Sequence, residues 1–467
     1  MKHIHFIGIC GVAMSALAIA FHKQGYRVTG SDKGFYPPVS THLKEAGVSY
    51  YPGWHVDKMC ANGNPDLVVV GNVAGSENPE WQYVQENNLQ YKSYPEVIAE
   101  FFVQQTSIVC AGTYGKTTST TLLAWIFTYA GKDPNYMFGG LCNNDLPAAA
   151  LANTPLSILE GDEYKSARWD DKAKFFHYAP THLLLTSVVW DHADVYPTEA
   201  LYDEAFSKLV SLVPQTGLLV VSAKVTHEKP EVLTNATAPI ITYGKTPDNT
   251  YHYTNIQASQ TGITFDIVHK NDVYTVHTSE LGDYMPDNMT GCFALAHELG
   301  IPPQTIMEAI QAFKGMKRRL EKRLDGQVCI FDDIAHSPKK AEAVLRSMRT
   351  LYSGKVIAVF EPNTGNRYTA AMPGYAHAFA DADVVYIPRL SHVKQEKGSS
   401  EIIVTAQELA AEIQKTHPHV VCIEDDEALV QELQASTVPG DVIIFLGSHG
   451  FRGMIETLIE RLEQKNS

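Results

Sequence analysis

Val109 to Trp125, VCAGTYGKTTSTTLLAW, is the stretch on which the reading of the whole chain turns. Ser107 to Ala111 is a short apolar strand, residues 112–115 turn through two glycines, and 116–130 has the composition of a helix. Glycines at a strand-to-helix turn let backbone N–H groups converge on phosphate oxygens, Lys116 can reach the outer phosphates, and the hydroxyl of Thr117 can hold a divalent cation. The common G-x-x-x-x-G-K-[ST] spacing would put its first glycine at 110, where this chain has Cys110 at the strand end. The loop therefore reads as a phosphate clasp with one departure.

Working outward, the next apolar strands end in candidate metal ligands. Leu156-Ser-Ile-Leu runs into Glu160-Gly-Asp162-Glu163, and Leu183 to Trp190 runs into Asp191-His192-Ala-Asp194. Strand ends beside a phosphate loop are where an open α/β sheet gathers ligands for Mg2+ and a nucleotide. Further on, Lys314 to Arg323 holds six cations in ten residues of an acidic chain, at a junction where arginine could steady charge on a transferred phosphoryl group. Ile330-Phe-Asp332-Asp333-Ile-Ala-His336-Ser-Pro338 then ends a strand in carboxylate and imidazole and starts a helix with proline, an arrangement suited to face a nucleotide from a second domain.

Ahead of the clasp, residues 4–9 read as a buried strand, 12–24 as a helix and 26–32 as a second strand ending in Asp32, a βαβ opening. Gly8-Ile9-Cys10-Gly11 gives half of a dinucleotide fingerprint, with Cys10 and Ala13 where glycines are common. What survives is a tight turn aiming a helix N-terminus at an anion, with Ser31 and Asp32 at the following strand end. The uncharged run from Phe6 to Phe21 after an N-terminal lysine has the outline of an export signal, but its glycines and the strand that follows assign it to the domain. From Gly326 onward, strand-like runs at 328–332, 355–360, 383–387, 420–423 and 441–446 alternate with helical stretches at 338–352, 373–380, 405–416, 426–435 and 451–464.

The expected fold class is α/β in three domains: a Rossmann-like N-terminal domain over residues 1–105, a central P-loop ATPase domain with a mostly parallel sheet over 106–320, and a Rossmann-like C-terminal domain over 321–467. A formal charge of −15 argues against nucleic acid or an anionic membrane surface as partner, since both call for a cationic face. Seven cysteines with no C-x-x-C pair argue against a disulfide framework and for a reducing cytoplasm. No segment has the roughly 20 apolar residues needed to cross a bilayer.

Taken together, these motifs resemble the Mur ligase family, the ATP-dependent amide-forming enzymes of bacterial cell-wall assembly. The family loop Gly-Thr-x-Gly-Lys-Thr/Ser stands here as Gly112 to Thr117, which accounts for the missing glycine. The resemblance implies that ATP is held by Gly112, Thr113, Gly115, Lys116, Thr117, Thr118 and Asn288, joined by Arg319, Asp333 and His336. It implies Mg2+ on Thr117, Glu160 and His192, and catalytic roles for Lys116, Glu160, His192 and Arg319. Gly8, Cys10, Gly11, Ser31 and Asp32 would bind a UDP-sugar, with the diphosphate at the glycine turn and Asp32 near the uridine. Tyr36-Pro-Pro-Val-Ser-Thr41, Phe360-Glu-Pro362 and Gly450-Phe-x-Gly453 favour the branch that joins UDP-N-acetylmuramate to L-alanyl-γ-D-glutamyl-meso-diaminopimelate in peptidoglycan recycling over the branch that adds L-alanine. The substrates implied are small molecules; the oligomeric state stays open. The chain departs from the family pattern at Tyr114 for a histidine, Ser187 for an asparagine, Tyr284-Met285-Pro-Asp-Asn288 for His-Asn-x-x-Asn, Asn363 for an arginine, and Phe206 where several relatives carry a modified lysine.

Two other classes compete. A nicotinamide-dependent oxidoreductase would use the N-terminal turn but leaves everything after residue 106 without a role. A GTPase switch would read His269-Lys-Asn-Asp272 as a guanine motif, although that tract sits in an alternating run, Phe265 to Val276, with Asn-Asp at a hairpin turn.

Overall fold

The computed structural model describes residues 2–36, 39–192, 194–391 and 403–466. Pro37 and Pro38 of the Tyr36–Thr41 motif and Ala193 of the Asp-His-x-Asp motif lie outside the described residues. The chain divides into two compact units, residues 1–257 with 264–278 and 284–314, and residues 258–263 and 279–283 with 315–467. The first unit carries two of the three α/β sheets and the second unit the third.

The first sheet has the order β3-β2-β1-β4-β5, from Ser49–Pro52, Arg27–Asp32, His3–Ile7, Leu67–Val70 and Tyr91–Ser93, all parallel. His3–Ile7 and Leu67–Val70 are buried at every position because helices cover both faces, so they are apolar or paired-polar throughout and do not alternate. The polar exceptions close on one another. Glu80, fully buried in helix Pro79–Glu86, accepts from Ser31 Oγ at 2.5 Å, Tyr51 Oη at 2.7 Å and the His55 N–H at 2.7 Å, with His5 Nε2 at 3.6 Å. Burial alone would raise its pKa, but His5, Ser31 and Tyr51 together hold the carboxyl below its ordinary value.

The second sheet has ten strands. They are β6 Thr106–Ala111, β7 Asn135–Met137, β8 Ala149–Ala150, β9 Leu156–Gly161, β12 His182–Leu185, β13 Leu218–Ser222, β14 Ile240–Gly244, β15 Tyr251–Ser259, β16 Gly262–His269 and β17 Asp272–Thr278. Their order is β17-β16-β15-β14-β13-β12-β6-β9-β7-β8, and the pairs around β6 are parallel. A separate antiparallel pair, β10 Lys165–Ala167 and β11 Asp170–Ala173, turns at Arg168-Trp169. The guanine-like tract is the hairpin between β16 and β17, turning at Lys270-Asn271.

The second unit's sheet has the order β18-β19-β23-β20-β21-β22, from Glu321–Leu324, Cys329–Asp333, Val442–Gly447, Val356–Glu361, Val384–Pro388 and Val420–Ile423. Only the β18 edge is antiparallel. One expectation fails here. Residues 373–380 are not a helix; a 3-10 segment, Thr369–Tyr375, with Pro373 inside it occupies that place, since proline removes an N–H that a longer helix requires. In the cation-rich run 314–323, Arg318 and Leu320 take left-handed backbone, and the chain enters β18 at Glu321.

Removing the Glu80 carboxylate leaves the buried Ser31 hydroxyl, the half-buried Tyr51 hydroxyl and the His55 N–H without their acceptor. Glu80→Ala should lower the stability of the first unit by about 3 kcal/mol, read from the urea midpoint. Because the folded pKa lies below the unfolded one, Glu80's contribution is complete above about pH 5 and fades as pH falls further, so the wild-type and variant curves should converge in acid.

Candidate active site

Strand register assembles the site. In the β6–β9 pair Cys110 lies opposite Glu160 and Ala111 opposite Gly161, and in the β6–β12 pair Ala111 lies opposite Leu185. The segments that leave these three strands, 112–116, 160–163 and 186–192, therefore emerge side by side at one sheet edge, where parallel α/β sheets place their ligands.

The loop between β6 and helix Lys116–Tyr129 is cradled by the segment after β12. Gly112 has φ +142°, and a Cβ there would stand 2.2 Å from Thr186 Oγ1 and 2.9 Å from the Ser187 backbone. Gly115 has φ +82°, and a Cβ there would meet Asn288 Oδ1 at 2.6 Å. Only glycine fits either place. Gly115 caps the helix without any side-chain cap, so the first-turn N–H groups at Lys116, Thr117 and Thr118 face outward as an anion seat. Thr113 does a different job from the one expected: its N–H donates to Ser187 O, while its hydroxyl bonds Val189 O and Tyr202 Oη. It fastens the loop and has no donor left for phosphate. Asn288 is likewise buried against Gly115, where it braces the loop from helix Met285–Glu298.

The acids divide the work. Glu160 Oε1 accepts from Thr117 Oγ1 at 2.5 Å and Oε2 from the Gly139 N–H at 2.6 Å. Burial pushes its carboxyl above the ordinary value even with Lys116 nearby. Glu163, 1 % exposed, accepts from Lys116 Nζ at 3.1 Å and approaches His192 Nε2 at 3.4 Å with the same oxygen, while its other oxygen is buried without a hydrogen-bond partner among the described residues. His192 sits in left-handed backbone at φ +56°, and its imidazole is held above the ordinary pKa chiefly by Glu163, against burial. Burial would lower Lys116, but Glu163, Glu160 and Asp162 keep it raised and charged. Asp162, which burial would raise, is held low by Lys174.

At the N-terminal turn, Gly8 N–H and Ile9 N–H both donate to Ser31 O, and the Cys10 N–H donates to Asp32 Oδ2 at 2.8 Å. Ser31 and Asp32 thus shape the turn. The Ser31 hydroxyl is fully buried on Glu80 and cannot reach a ligand, and both Asp32 oxygens already accept backbone N–H groups, the second from Lys33. The exposed valines Val12 and Val73 flank Gly8 and Gly11.

The sequence matches the Mur ligase family catalytic domain over residues 3–106, the Mur ligase middle domain over 110–296 and the Mur ligase glutamate ligase domain over 318–449. It is 30 % identical, over the full length of both chains, to a UDP-N-acetylmuramate–L-alanyl-γ-D-glutamyl-meso-2,6-diaminoheptanedioate ligase of Haemophilus influenzae. The chain belongs to the Mur ligase family. A UDP-N-acetylmuramate–L-alanine ligase of Bartonella bacilliformis is 28 % identical, covering 99 % of this chain and 96 % of its own. The crystal structure of a murein peptide ligase from Psychrobacter arcticus superposes with a TM-score of 0.70 at 26 % identity, covering 99 % of each chain. Mur ligases are ATP-dependent, ADP-forming amide ligases, and this chain is an enzyme of that class. Among the described residues no helix is long and apolar enough to cross a membrane.

Two of this Mur ligase's departures touch each other: the Tyr114 N–H donates to Ser187 Oγ at 2.9 Å, and Tyr114 O accepts from Thr186 and Ser187 hydroxyls. The exchange of both residues is one local solution for holding the loop. In the second unit, Arg319 is half-buried and its guanidinium makes no hydrogen bond among the described residues, whereas neighbouring Arg318 bonds Asp332 and the carbonyls of Gly447, Ser448 and His449. Asp333 is buried and accepts from Leu320 N–H and Ala335 N–H, both at 2.7 Å, so it fixes the backbone that presents Arg319. Burial raises its carboxyl above the ordinary value against those bonds. His336 Nδ1 donates to Ile334 O at 2.7 Å. Asn363 caps its own 3-10 turn through Asn366.

Sequence reasoning placed Glu163 in the strand-end run with Glu160 but gave it no role of its own; the structure gives it Lys116 and His192. Glu163→Gln should lower the His192 pKa toward its ordinary value. Two-dimensional NMR titration of the imidazole checks this, and an unmoved midpoint counts against Glu163 as the source of the shift.

Proposed function

We propose that this chain joins the carboxyl of UDP-N-acetylmuramate to the amine of L-alanyl-γ-D-glutamyl-meso-diaminopimelate, in the cytoplasm and in peptidoglycan recycling. The single observation that supports the reading most is the convergence of Lys116, Glu163 and His192 beside the Thr117–Glu160 pair at the glycine loop. The tripeptide-ligase activity of the Haemophilus relative supplies the acceptor. In this reading residues 1–105 hold the UDP-sugar, 106–320 hold ATP, and 321–467 bring the peptide amine.

Making an amide from a free carboxylate in water is uphill, so the carboxylate is first activated as an acyl phosphate at the expense of ATP, and the amine then displaces phosphate. The glycine loop and the first turn of the Lys116–Tyr129 helix seat the phosphates. Lys116, held charged by Glu163, meets the charge that spreads over the transferring oxygens. Thr117, Glu160 and His192 are the groups that would hold Mg2+. A hydroxyl, one buried carboxylate and an imidazole fit that ion, which takes few protein ligands and completes its shell with phosphate and water. Among the described residues no three acidic, histidine or cysteine side chains are grouped as a metal cage. Bound Mg2+ supplies charge neutralisation at the phosphate oxygens. Within the second unit, Arg319 is the cation with open donors, with Asp333 fixing its backbone and His336 on the following segment.

Lys116→Ala should cut ADP release by on the order of 100-fold or more while leaving the affinity for UDP-N-acetylmuramate nearly unchanged. Chelation with EDTA should stop ADP release, and added Mg2+ should restore it. Comparing turnover with the tripeptide and with L-alanine assigns the acceptor: turnover with L-alanine alone would move the chain to the L-alanine-adding branch.

A further inference from the structure

The β10–β11 hairpin begins two residues after Glu163 and reaches back to the first sheet. Its two-residue tip, Arg168-Trp169, is seated firmly. The Trp169 ring stacks on Trp81 with centroids 5.2 Å apart, and Tyr91 meets the edges of both. Arg168 Nε donates to Asn72 O at 2.8 Å, and its Nη1 lies 4.0 Å from where a Cβ on Gly75 would be. The loop 71–75 that receives Arg168 is also the loop that packs on the glycine turn. The Gly71 N–H donates to Ile7 O, and a Cβ on Gly8 would stand 2.8 Å from Val73 Cγ2 and 3.7 Å from Gly71 Cα.

Charge makes the placement informative. Lys165 and Lys174 at the base of the hairpin are paired, with Asp171 and Asp162, and Asp170 is paired with His177. Arg168 faces no carboxylate among the described residues, and its two terminal nitrogens carry no hydrogen bond. A guanidinium fixed through Nε, with both Nη groups open, has the fork geometry for a phosphate or a carboxylate. Further along the same loop, Asn78 is 5 % exposed and leaves its Nδ2 buried with no acceptor.

We propose that Arg168 is a substrate-binding residue, reaching from the ATP-binding domain to take an anionic group of the UDP-sugar beside the Gly8–Gly11 turn. The inference rests on the ligase reading for the identity of the nucleotide. Two groups of UDP-N-acetylmuramate share the required chemistry, the diphosphate and the muramate carboxylate, and the test separates them.

Binding of uridine, UDP, UDP-N-acetylglucosamine and UDP-N-acetylmuramate to the full chain is measured by calorimetry for wild type, Arg168→Ala and Arg168→Lys. Arg168→Ala should weaken UDP-N-acetylmuramate by about tenfold or more and leave uridine unchanged, and Arg168→Lys should recover part of the loss. A loss shared by UDP assigns the diphosphate. One confined to UDP-N-acetylmuramate assigns the carboxylate. The proposal is overturned if both variants bind all four ligands as wild type does, or if uridine is weakened as much as UDP, which marks a disturbed domain and not a missing cation. The far-ultraviolet exciton signal of the Trp81–Trp169 pair reports whether the hairpin stays seated. A wild-type chain that binds ATP but none of the uridine ligands would overturn the ligase reading itself.

Discussion

One buried carboxylate oxygen, Oε1 of Glu163, is shared between the ammonium of Lys116 and the imidazole of His192. Removing a lysine and an acid from water together is expensive unless each satisfies the other, and loss of one partner strands a charge in a low-dielectric site. This constraint ties the phosphate loop to the strand end after β9 and the strand end after β12. It also keeps Lys116 cationic where burial would otherwise favour the neutral amine. The Thr117–Glu160 contact, the outward-facing helix N-terminus and the cradle around Gly112 and Gly115 all depend on these segments meeting at that point.

Much of this was legible in the sequence because the chemistry sits at element boundaries. A glycine loop after an apolar strand, and acids at the ends of the next strands, declare themselves by position and residue type. The three α/β sheets follow from the alternation of apolar runs with helical stretches. What stayed hidden required side-chain direction. Glu160 and Glu163 are equivalent in a linear reading, and only the Cys110–Glu160 register assigns one to Thr117 and leaves the other for Lys116. Thr113, Ser31 and Asp32 were read as ligand contacts, and the structure gives each of them hydrogen bonds that hold the scaffold together. A motif residue can be indispensable by shaping the cradle without touching what lies in it.

The cation-rich run shows the same division at closer range. Arg318 and Arg319 are neighbours of identical chemistry. Left-handed backbone at Arg318 sends its guanidinium to three carbonyls and Asp332, whereas Arg319 keeps its donors open. Positive φ at a non-glycine residue costs on the order of 1 kcal/mol or more, and here the cost is offset by the Arg318 bonds and by Asp333 beneath Leu320. Composition alone cannot distinguish the two, because the difference lies in backbone angle.

The parallel pairing of β6 and β9 also decides where the chain can tolerate length changes. Residues 140–148, between Gly139 and β8, cross no part of the β6–β9 pairing, so an insertion there leaves that ladder in register. A single added residue inside Leu156–Gly161 would rotate every following side chain to the opposite face of the sheet and carry Glu160 away from Thr117. The six-residue strand thus keeps a fixed phase, and Gly139, whose N–H holds Glu160 Oε2, keeps its place beside it.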